Sequence, residues 1–401
     1  SPRSNPPTKA GGGCLNAIRT KSFPSMIPMD QARVEARILE RLRRWVEHET
    51  PSGDVSACTA LADDIGAAFA DAGAEVQWVD APERGRHVVA RFPGREPGLE
   101  PVVVLGHLDT VHPRGTIQER PFRVVDGRAE GPGTFDMKGG LAILAETLLL
   151  FGETGALPRR PVVVLVTCDE EIGSATSRPL IEATARGAAA VLVLEPPLED
   201  GSVKTARKGI ADYRIVVRGR AAHAGLEPEK GINAILELSH QIIRATALAA
   251  PEKGTTISVG RVGGGTATNV VPADAWADFD VRFTTLDEQR RVDAAMRALR
   301  PVLPGAEVRV EGGRDRPPLE RSEAVLRLYR HARDLATELG FELGEGAAGG
   351  ASDGNFTAAL GVPTLDGLGP RGGGAHAADE HVLVDDLVRR AALYARLLET
   401  L

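Results

Sequence analysis

The chain has 401 residues, of which 42% are hydrophobic and 26% are charged, an ordinary composition for a folded protein of one or two domains. Its net charge of −7 argues against a nucleic-acid groove, and no apolar run is long enough to cross a membrane. The three cysteines, Cys14, Cys58 and Cys168, form no CxxC pair, which favours a reducing, cytoplasmic compartment over a disulfide framework.

Residues 1–29 are rich in Pro, Gly and Ser and contain no long apolar core. We predict that they form a disordered extension rather than a secretory signal.

Residues 30–207 alternate between helix-like and strand-like segments. Apolar residues recur at helical spacing over residues 32–48, 60–74 and 138–153. Continuous Val/Leu runs, typical of strands buried on both faces of a parallel sheet, occupy residues 101–106, 161–167 and 190–197. This alternation predicts an α/β sandwich, which resumes over residues 319–401.

Residues 208–318 follow a different pattern. Apolar and polar residues alternate over 210–220, as in a strand with one solvated face. A helix, two strands, a second helix and a last strand follow, which is the βαββαβ order of a ferredoxin-like unit. We therefore predict a second domain inserted into the first.

Each buried strand is followed by candidate metal ligands or catalytic acids. The strand ends supply His107, Asp109, Glu170, Glu171 and Glu195. Asp136 lies in a Gly-rich turn just before a helix, and His376 and His381 lie near the C-terminus. Because ligands of open α/β sheets bind at the carboxyl ends of the strands, we expect these side chains to converge. Taken singly, each has an ordinary alternative: a structural histidine, a solvated acid or, for Asp136, a helix N-cap.

Two histidines and three carboxylates suffice for two divalent cations that share one carboxylate. Such mixed ligands suit zinc, with cobalt or manganese as alternatives. Glu170 and Glu171 are adjacent, so one can bind metal while the other acts as a general base toward water. Cys168 lies beside them; we interpret it as a small buried residue, with a reactive thiol as the alternative.

Five sequence blocks carry a resemblance to a known family: GHLDTV, GPGTFDMKGG, DEEIGS, LEP and GGGAHAADEHV. They resemble the signature blocks of metallopeptidase family 20, in order, over about residues 30–401, and are most similar to the carboxypeptidase G (glutamate carboxypeptidase) branch. The resemblance implies a zinc-peptidase α/β sandwich as catalytic domain, formed by residues 30–207 and 319–401. Residues 208–318 would then be an inserted ferredoxin-like lid and dimerisation domain.

The resemblance also implies a role for each residue of the metal site. One zinc ion would be bound by His107, Asp136 and Glu195, and the other by Asp136, Glu171 and His376. Glu170 would be the general acid/base, and Asp109 would orient His107 through its second ring nitrogen. His381 would be an outer, structural residue.

Further residues are implied in substrate binding. His223, in RGRAAHAG, would stabilise the oxyanion, including from across a dimer interface. Asn269 and Arg282 would hold the carboxylate side of the substrate, with Arg316 and Ser352 as additional candidates. Without the resemblance, His223 would be interpreted as a surface histidine and Arg282 as a solvated strand residue.

The function predicted on this basis is a two-zinc hydrolase that cleaves the amide bond of a peptidyl or N-acyl amino acid, with C-terminal glutamate favoured. An N-acyl amino acid deacylase, a dipeptidase or a succinyl-diaminopimelate-type enzyme remain alternatives, because the pocket and not the metal core sets the substrate. A catalytically silent metal-binding relative is a remote alternative. We expect a homodimer through the lid domain, without nucleic-acid or membrane partners.

Overall fold

The computed structural model describes residues 29–401. The predicted disordered extension lies outside this range except for Met29, and so does Cys14. Cys58 and Cys168 are free and buried. Within the described range, no helix combines the length and apolar character needed to span a membrane. The cytoplasmic location remains a prediction.

Between residues 29 and 207, the structure contains eight strands and five α-helices. The helices are α1 (Gln31–Glu47), α2 (Val55–Asp71), α3 (Thr116–Glu119), α4 (Gly139–Thr154) and α5 (Arg178–Ala185). The strands are β1 (Glu75–Ala81), β2 (Gly85–Phe92), β3 (Val102–His107), β4 (Arg123–Val125), β5 (Arg128–Glu130), β6 (Val162–Thr167), β7 (Ala190–Val193) and β8 (Val203–Arg207).

Helices α1 and α2 begin at aspartate caps. The side chains of Asp30 and Asp54 each accept a hydrogen bond from a backbone N–H three residues on. The apolar stripe of α1 is buried, including Ile38, Leu42 and Trp45. The predicted periodicity therefore marks the face that packs on the core.

The middle of the chain, which was predicted as the insertion, contains strands β9 (Gly209–Arg218), β10 (Thr256–Gly264), β11 (Asp274–Phe283) and β12 (Glu307–Arg316), with helices α6 (Ala234–Thr246) and α7 (Leu286–Arg297). The strands form one sheet in the order β10-β11-β9-β12, and all neighbours are antiparallel. Alternate residues of β9 and β11 are buried in a separate core shared with α6 and α7. The ferredoxin-like unit is confirmed, whereas the exact limits at residues 208 and 318 remain predictions.

The last part contains helices α8 (Glu323–Glu338), α9 (Gly354–Ala359) and α10 (Val384–Thr400). Its strands are β13 (Glu345–Ala348), β14 (Thr364–Leu365), β15 (Gly372–Gly373) and β16 (His381–Leu383). Strand β14 joins the sheet of the first part, so the two ends of the chain build one unit around the insertion.

The main sheet has the strand order β1-β2-β6-β3-β7-β14. Strands β6, β3, β7 and β14 are parallel, as the Val/Leu runs predict, and β3 is buried along its whole length. The antiparallel hairpin of β1 and β2 was not predicted. The α/β fold class is confirmed, and the carboxyl ends of β6, β3 and β7 lie side by side.

Candidate metal centre

Three neighbouring strands deliver side chains to one edge of the main sheet. Strand β3 ends at His107, β6 is followed by Glu170 and Glu171 in a short helical turn, and β7 is followed by Glu195. Because β3 pairs in parallel with both β6 and β7, these ends converge.

His107 is buried, and its two ring nitrogens have different environments. Nε2 lies 3.1 Å from Oδ1 of Asp136 and 3.7 Å from Oε1 of Glu195. Nδ1 lies 2.9 Å from the backbone carbonyl oxygen of Asp109 and 3.6 Å from its carboxylate. A carbonyl can only accept, so Nδ1 donates to it, and Nε2 is free to serve as a metal ligand.

His376 approaches the same aspartate from the other side. Its Nε2 lies 3.3 Å from Oδ2 of Asp136 and 3.2 Å from Oε2 of Glu171. The backbone of His376 has φ 64°, a left-handed conformation that is unfavourable for a residue with a side chain. Each oxygen of Asp136 thus faces a different histidine, the arrangement required of a bridging ligand.

The chemistry of this group fits divalent cations. Ligand atoms of His107, Asp136 and Glu171 lie within 4.8 Å of one another, as do those of His107, Glu170 and Glu195. Oε1 of Glu171 is buried without a hydrogen-bond partner among the described residues. Burial and the charge of Asp136 raise the pKa of Glu195 to about 7. A cation would satisfy the orphaned oxygen and favour the ionised carboxylates.

The predicted base Glu170 is held by a residue of the inserted unit. Nη1 of Arg316, at the end of β12, donates to Oε1 of Glu170 at 2.8 Å, and its Nη2 donates to Oγ of Ser174 at 2.7 Å. Burial raises the pKa of Glu170 well above its usual range, and the charge of Arg316 opposes this shift. Arg316 also lies 3.4 Å from Asp353. The arginine predicted to bind substrate thus contacts the catalytic candidate directly.

Asp109 has a second contact besides His107. Its carboxylate accepts hydrogen bonds from the backbone N–H groups of Glu170 and Glu171, both at 3.2 Å, and from Oγ of Ser52 at 2.7 Å. Asp109 therefore fixes the backbone of the tandem acids as well as the end of β3.

A buried arginine that the sequence analysis missed lies behind Glu195. Nη2 of Arg207 is 3.2 Å from Oε2 of Glu195 and 2.7 Å from Oδ1 of Asp366, while its Nε donates to Oδ2 of Asp366 at 2.9 Å. Ser352 is fully buried and donates to the same Asp366 at 2.6 Å. The contact of Ser352 with substrate remains a prediction. The position of Arg207 at the end of β8 was the available signal.

Glu380, also missed, clamps the loop that carries Asp136. Its carboxylate accepts hydrogen bonds from the backbone N–H groups of Gly133, Phe135 and Asp136 at 2.8, 3.0 and 2.9 Å. Its Oε2 lies 2.6 Å from Nε2 of His112, whose Nδ1 lies 3.1 Å from Arg120. Arg120 donates to the carbonyl of Ala377, beside His376, at 2.7 Å. One polar network therefore joins the loops of two candidate ligands.

His223 and Asn269 lie in the inserted unit, and both are exposed. They are neighbours, because His223 forms a β-bridge with Val270. Nδ1 of His223 accepts from the backbone N–H groups of Gly225 and Leu226, both at 3.1 Å, which leaves Nε2 as a donor. Over residues 29–401, no hydrogen bond or ion pair joins either side chain to the metal-site residues within one chain.

Two of the three remaining candidates, Arg282 and His381, have partners close in sequence, and the third, Cys168, is a buried thiol. Arg282 forms a two-point ion pair with Asp280 on its own strand, at 2.8 and 2.7 Å. His381 bonds the carbonyl of Asp379 at 2.8 Å, in keeping with an outer position. Burial raises the pKa of the Cys168 thiol far above its usual range, which disfavours the reactive-thiolate alternative.

The chain matches proteins of known family along most of its length. The model of peptidase family M20/M25/M40 matches residues 103–400. Carboxypeptidase G2 of Pseudomonas sp. (strain RS-16) is 33% identical over 371 residues, covering 90% of this chain and 88% of that protein. A succinyl-diaminopimelate desuccinylase of Verminephrobacter eiseniae is 31% identical over 330 residues, covering 76% of this chain and 79% of that protein.

Solved structures share the fold. The aminopeptidase PepT of Bacillus cereus superposes with a TM-score of 0.75 at 23% identity, over 91% of this chain and 98% of that one. A Bacillus subtilis protein described as a dinuclear metal-binding peptidase of family M20 superposes with a TM-score of 0.65 at 18% identity, over 92% and 98%.

Proposed function

Because this chain belongs to peptidase family M20/M25/M40, and is therefore a metal-dependent peptidase or amide hydrolase, we propose that it cleaves the amide bond of a peptidyl or N-acyl amino acid. The favoured substrate carries a C-terminal glutamate, and the metal ions are two zinc ions. The observation that carries the proposal is the position of Asp136 between His107 and His376. The carboxylates of Glu170, Glu171 and Glu195 lie around these three residues.

The metal ligands divide into two sets that share Asp136. His107 and Glu195 complete one set, and Glu171 and His376 complete the other. When bound, the ions supply polarisation of the amide carbonyl and acidification of water. Arg207 positions Glu195 through an ion pair, and Glu380 positions Asp136 through its backbone N–H. Neither residue belongs to the two sets of metal ligands.

Glu170 moves the proton of the reaction. It takes a proton from the attacking water as the new carbon–oxygen bond forms, and delivers it to the amide nitrogen as the carbon–nitrogen bond breaks. The products are a carboxylate and a protonated amine, which together retain both protons of the water. Arg316 orients Glu170 through the 2.8 Å hydrogen bond, and its charge favours the ionised, proton-accepting form.

The preference for glutamate is supported by the similarity to carboxypeptidase G2. A deacylase that removes an acidic acyl group is the second candidate, and the similarity to a succinyl-diaminopimelate desuccinylase favours it. Both substrates present an amide beside a carboxylate, for which Asn269 and Arg282 are the proposed partners.

We further propose that the protein is a homodimer formed through the inserted unit. Strand β10 is an edge strand, and Val262 on it is 63% exposed. Helix α6 exposes Ile235, Leu236 and Ile243, the last at 67%. An exposed strand edge beside apolar side chains is the kind of surface that a second copy covers. The outward Nε2 of His223 would then donate to the oxyanion in the partner's site.

The test is hydrolysis by zinc-loaded protein of matched N-benzoyl and N-succinyl derivatives of glutamate, glutamine and leucine, with dipeptides as a third group. A chelated sample is the control. We expect chelator-sensitive cleavage that is fastest for acyl-glutamates. Faster cleavage of succinyl-leucine than of benzoyl-glutamate would replace the glutamate preference by the deacylase function. No cleavage of any member would refute both.

A further inference from the structure

Lys204, on strand β8, is a buried cation close to the candidate metal centre. Its side chain is 8% exposed. Its backbone N–H donates to the carbonyl of Asp366 at 2.7 Å, and its carbonyl accepts from the N–H of Asp366 at 3.2 Å. Asp366 is the residue that holds Arg207 against Glu195, so Lys204 lies one contact away from a metal ligand.

The side chain of Lys204 packs against Gly367, which has no side chain of its own to fill that space. Gly367 has φ +79°, and a β-carbon there would lie 3.3 Å from Cγ of Lys204. A larger residue would strain the backbone and press on the lysine stem. Burial and the charge of Arg207 lower the pKa of Lys204, whereas the carboxylates of Asp366, Glu195 and Asp136 oppose this shift.

Lys204 differs from the other buried cations in having no partner. Arg207 and Arg316 are paired with carboxylates, Arg390 with Asp386, and Lys138 donates to the carbonyl of His48 at 2.9 Å. Within residues 29–401, the ammonium of Lys204 makes no hydrogen bond or ion pair. Because Asp366 and Glu195 already pair with Arg207, neither is left as a partner for the ammonium of this largely buried lysine.

An anion from outside the chain would supply the missing partner of this ammonium. The proposed substrates contain the amide and the carboxylate next to it, and glutamyl or succinyl substrates add a second carboxylate that does not react. We propose that Lys204 binds this second carboxylate and so selects dianionic substrates. The proposal rests on the proposed function for its substrates and on the unpartnered ammonium for its chemistry.

Two matched substrate pairs identify the source of the carboxylate. N-benzoylglutamate and N-benzoylglutamine differ in the side chain of the C-terminal residue, and N-succinylleucine and N-succinamoylleucine differ in the acyl group. For Lys204→Met, we expect kcat/KM to fall about tenfold or more for the dianionic member of one pair, and much less for its monoanionic partner. Lys204→Arg should recover part of the loss. Lys253→Met removes an exposed ammonium on the inserted unit and should leave kcat/KM unchanged for both members of each pair.

A binding measurement separates this proposal from the proposed function. Calorimetry on zinc-loaded Glu170→Gln protein compares glutarate with butyrate, with and without Lys204→Met. We expect the lysine variant to lose its preference for glutarate. If no substrate is cleaved, the proposed function fails, and this comparison still decides the role of Lys204. Equal losses for both members of both pairs, or a loss of bound zinc in Lys204→Met, would show that Lys204 only balances the charge of the centre.

Discussion

At the scale of single residues, the candidate centre depends on Asp136. Its two oxygens face His107 and His376 at 3.1 and 3.3 Å, and its backbone N–H is held by Glu380. The carboxylate therefore stands between two histidines that arrive from distant parts of the chain, while its loop is fixed by a third element. This division separates the residues that would bind metal from those that position them.

Glu170→Gln tests the base. The amide can still accept the hydrogen bond from Arg316 but cannot take a proton, so we expect kcat to fall by roughly 10²–10⁴-fold. The measurement is kcat on an acyl-glutamate together with zinc content by emission spectroscopy. Glu182→Gln, which alters a surface ion pair with Arg178, is the matched control. Substantial turnover by Glu170→Gln at full zinc content would contradict the assignment.

Glu380→Gln tests the clamp on the Asp136 loop. The substitution keeps the size of the side chain but replaces an anion that faces three N–H donors with an amide that presents its own donors. We expect zinc affinity to fall about 10- to 100-fold, with activity restored by excess zinc. Competition with a chelator measures the Kd. His381→Gln changes the next residue and should leave the Kd for zinc unchanged. An unaltered Kd in Glu380→Gln would show that Glu380 does not position the Asp136 loop for metal binding.

At the scale of elements, the centre follows from strand order. The Val/Leu runs predict three buried strands, and the polar residues after them predict a common edge. The structure adds that β3 lies between β6 and β7, which the sequence does not state. Two positioning residues were missed for a physical reason. Glu380 contacts backbone groups about 245 residues away, and Arg207 contacts Asp366 across 159 residues, so no local pattern predicts either contact.

Helix α6 is fastened to the rest of the inserted unit by a buried carboxylate. Glu237 accepts hydrogen bonds from the backbone N–H groups of Val302 and Leu303 at 3.0 and 2.6 Å. Although burial opposes its charge, the hydrogen bonds from Leu303, Gln241 and Val302 lower the pKa of Glu237. A lowered folded-state pKa stabilises the fold above the unfolded-state pKa of about 4.3, and this stabilisation is lost as pH falls through the folded-state value.

Glu237→Gln should therefore lower the urea midpoint at pH 7 and flatten the decline in stability below about pH 5. Urea unfolding of variant and wild type at several pH values measures both effects. Glu229→Gln, at an exposed position of the same unit, is the control. Stability curves that run parallel across this pH range would show that Glu237 contributes no pH dependence.

At the scale of the whole molecule, one chain does not bring every predicted residue to the centre. The candidate ligands His107, Glu171 and Glu195 lie close together because they follow adjacent strands of one sheet. His223 and Asn269 are exposed on the inserted unit, and the sequence does not say whether they would act on the centre of their own chain or on that of a second copy. Contacts between subunits depend on surface shape and chemistry rather than on short motifs. The role of His223 therefore has to be tested in the assembled protein.

Mixing two inactive variants tests whether His223 acts on the centre of its own chain or on that of the partner. Glu170→Gln and His223→Ala chains should each be nearly inactive as homodimers. If His223 acts on the partner's centre, a dimer of one chain of each kind contains one complete site, built from the intact centre of the His223→Ala chain and the intact His223 of the other. Random mixing in equal amounts makes half of the dimers mixed, so activity should recover to roughly a quarter of wild type. His223 acting within its own chain would give no recovery, and native mass spectrometry verifies that mixed dimers have formed, because the two variant chains differ in mass.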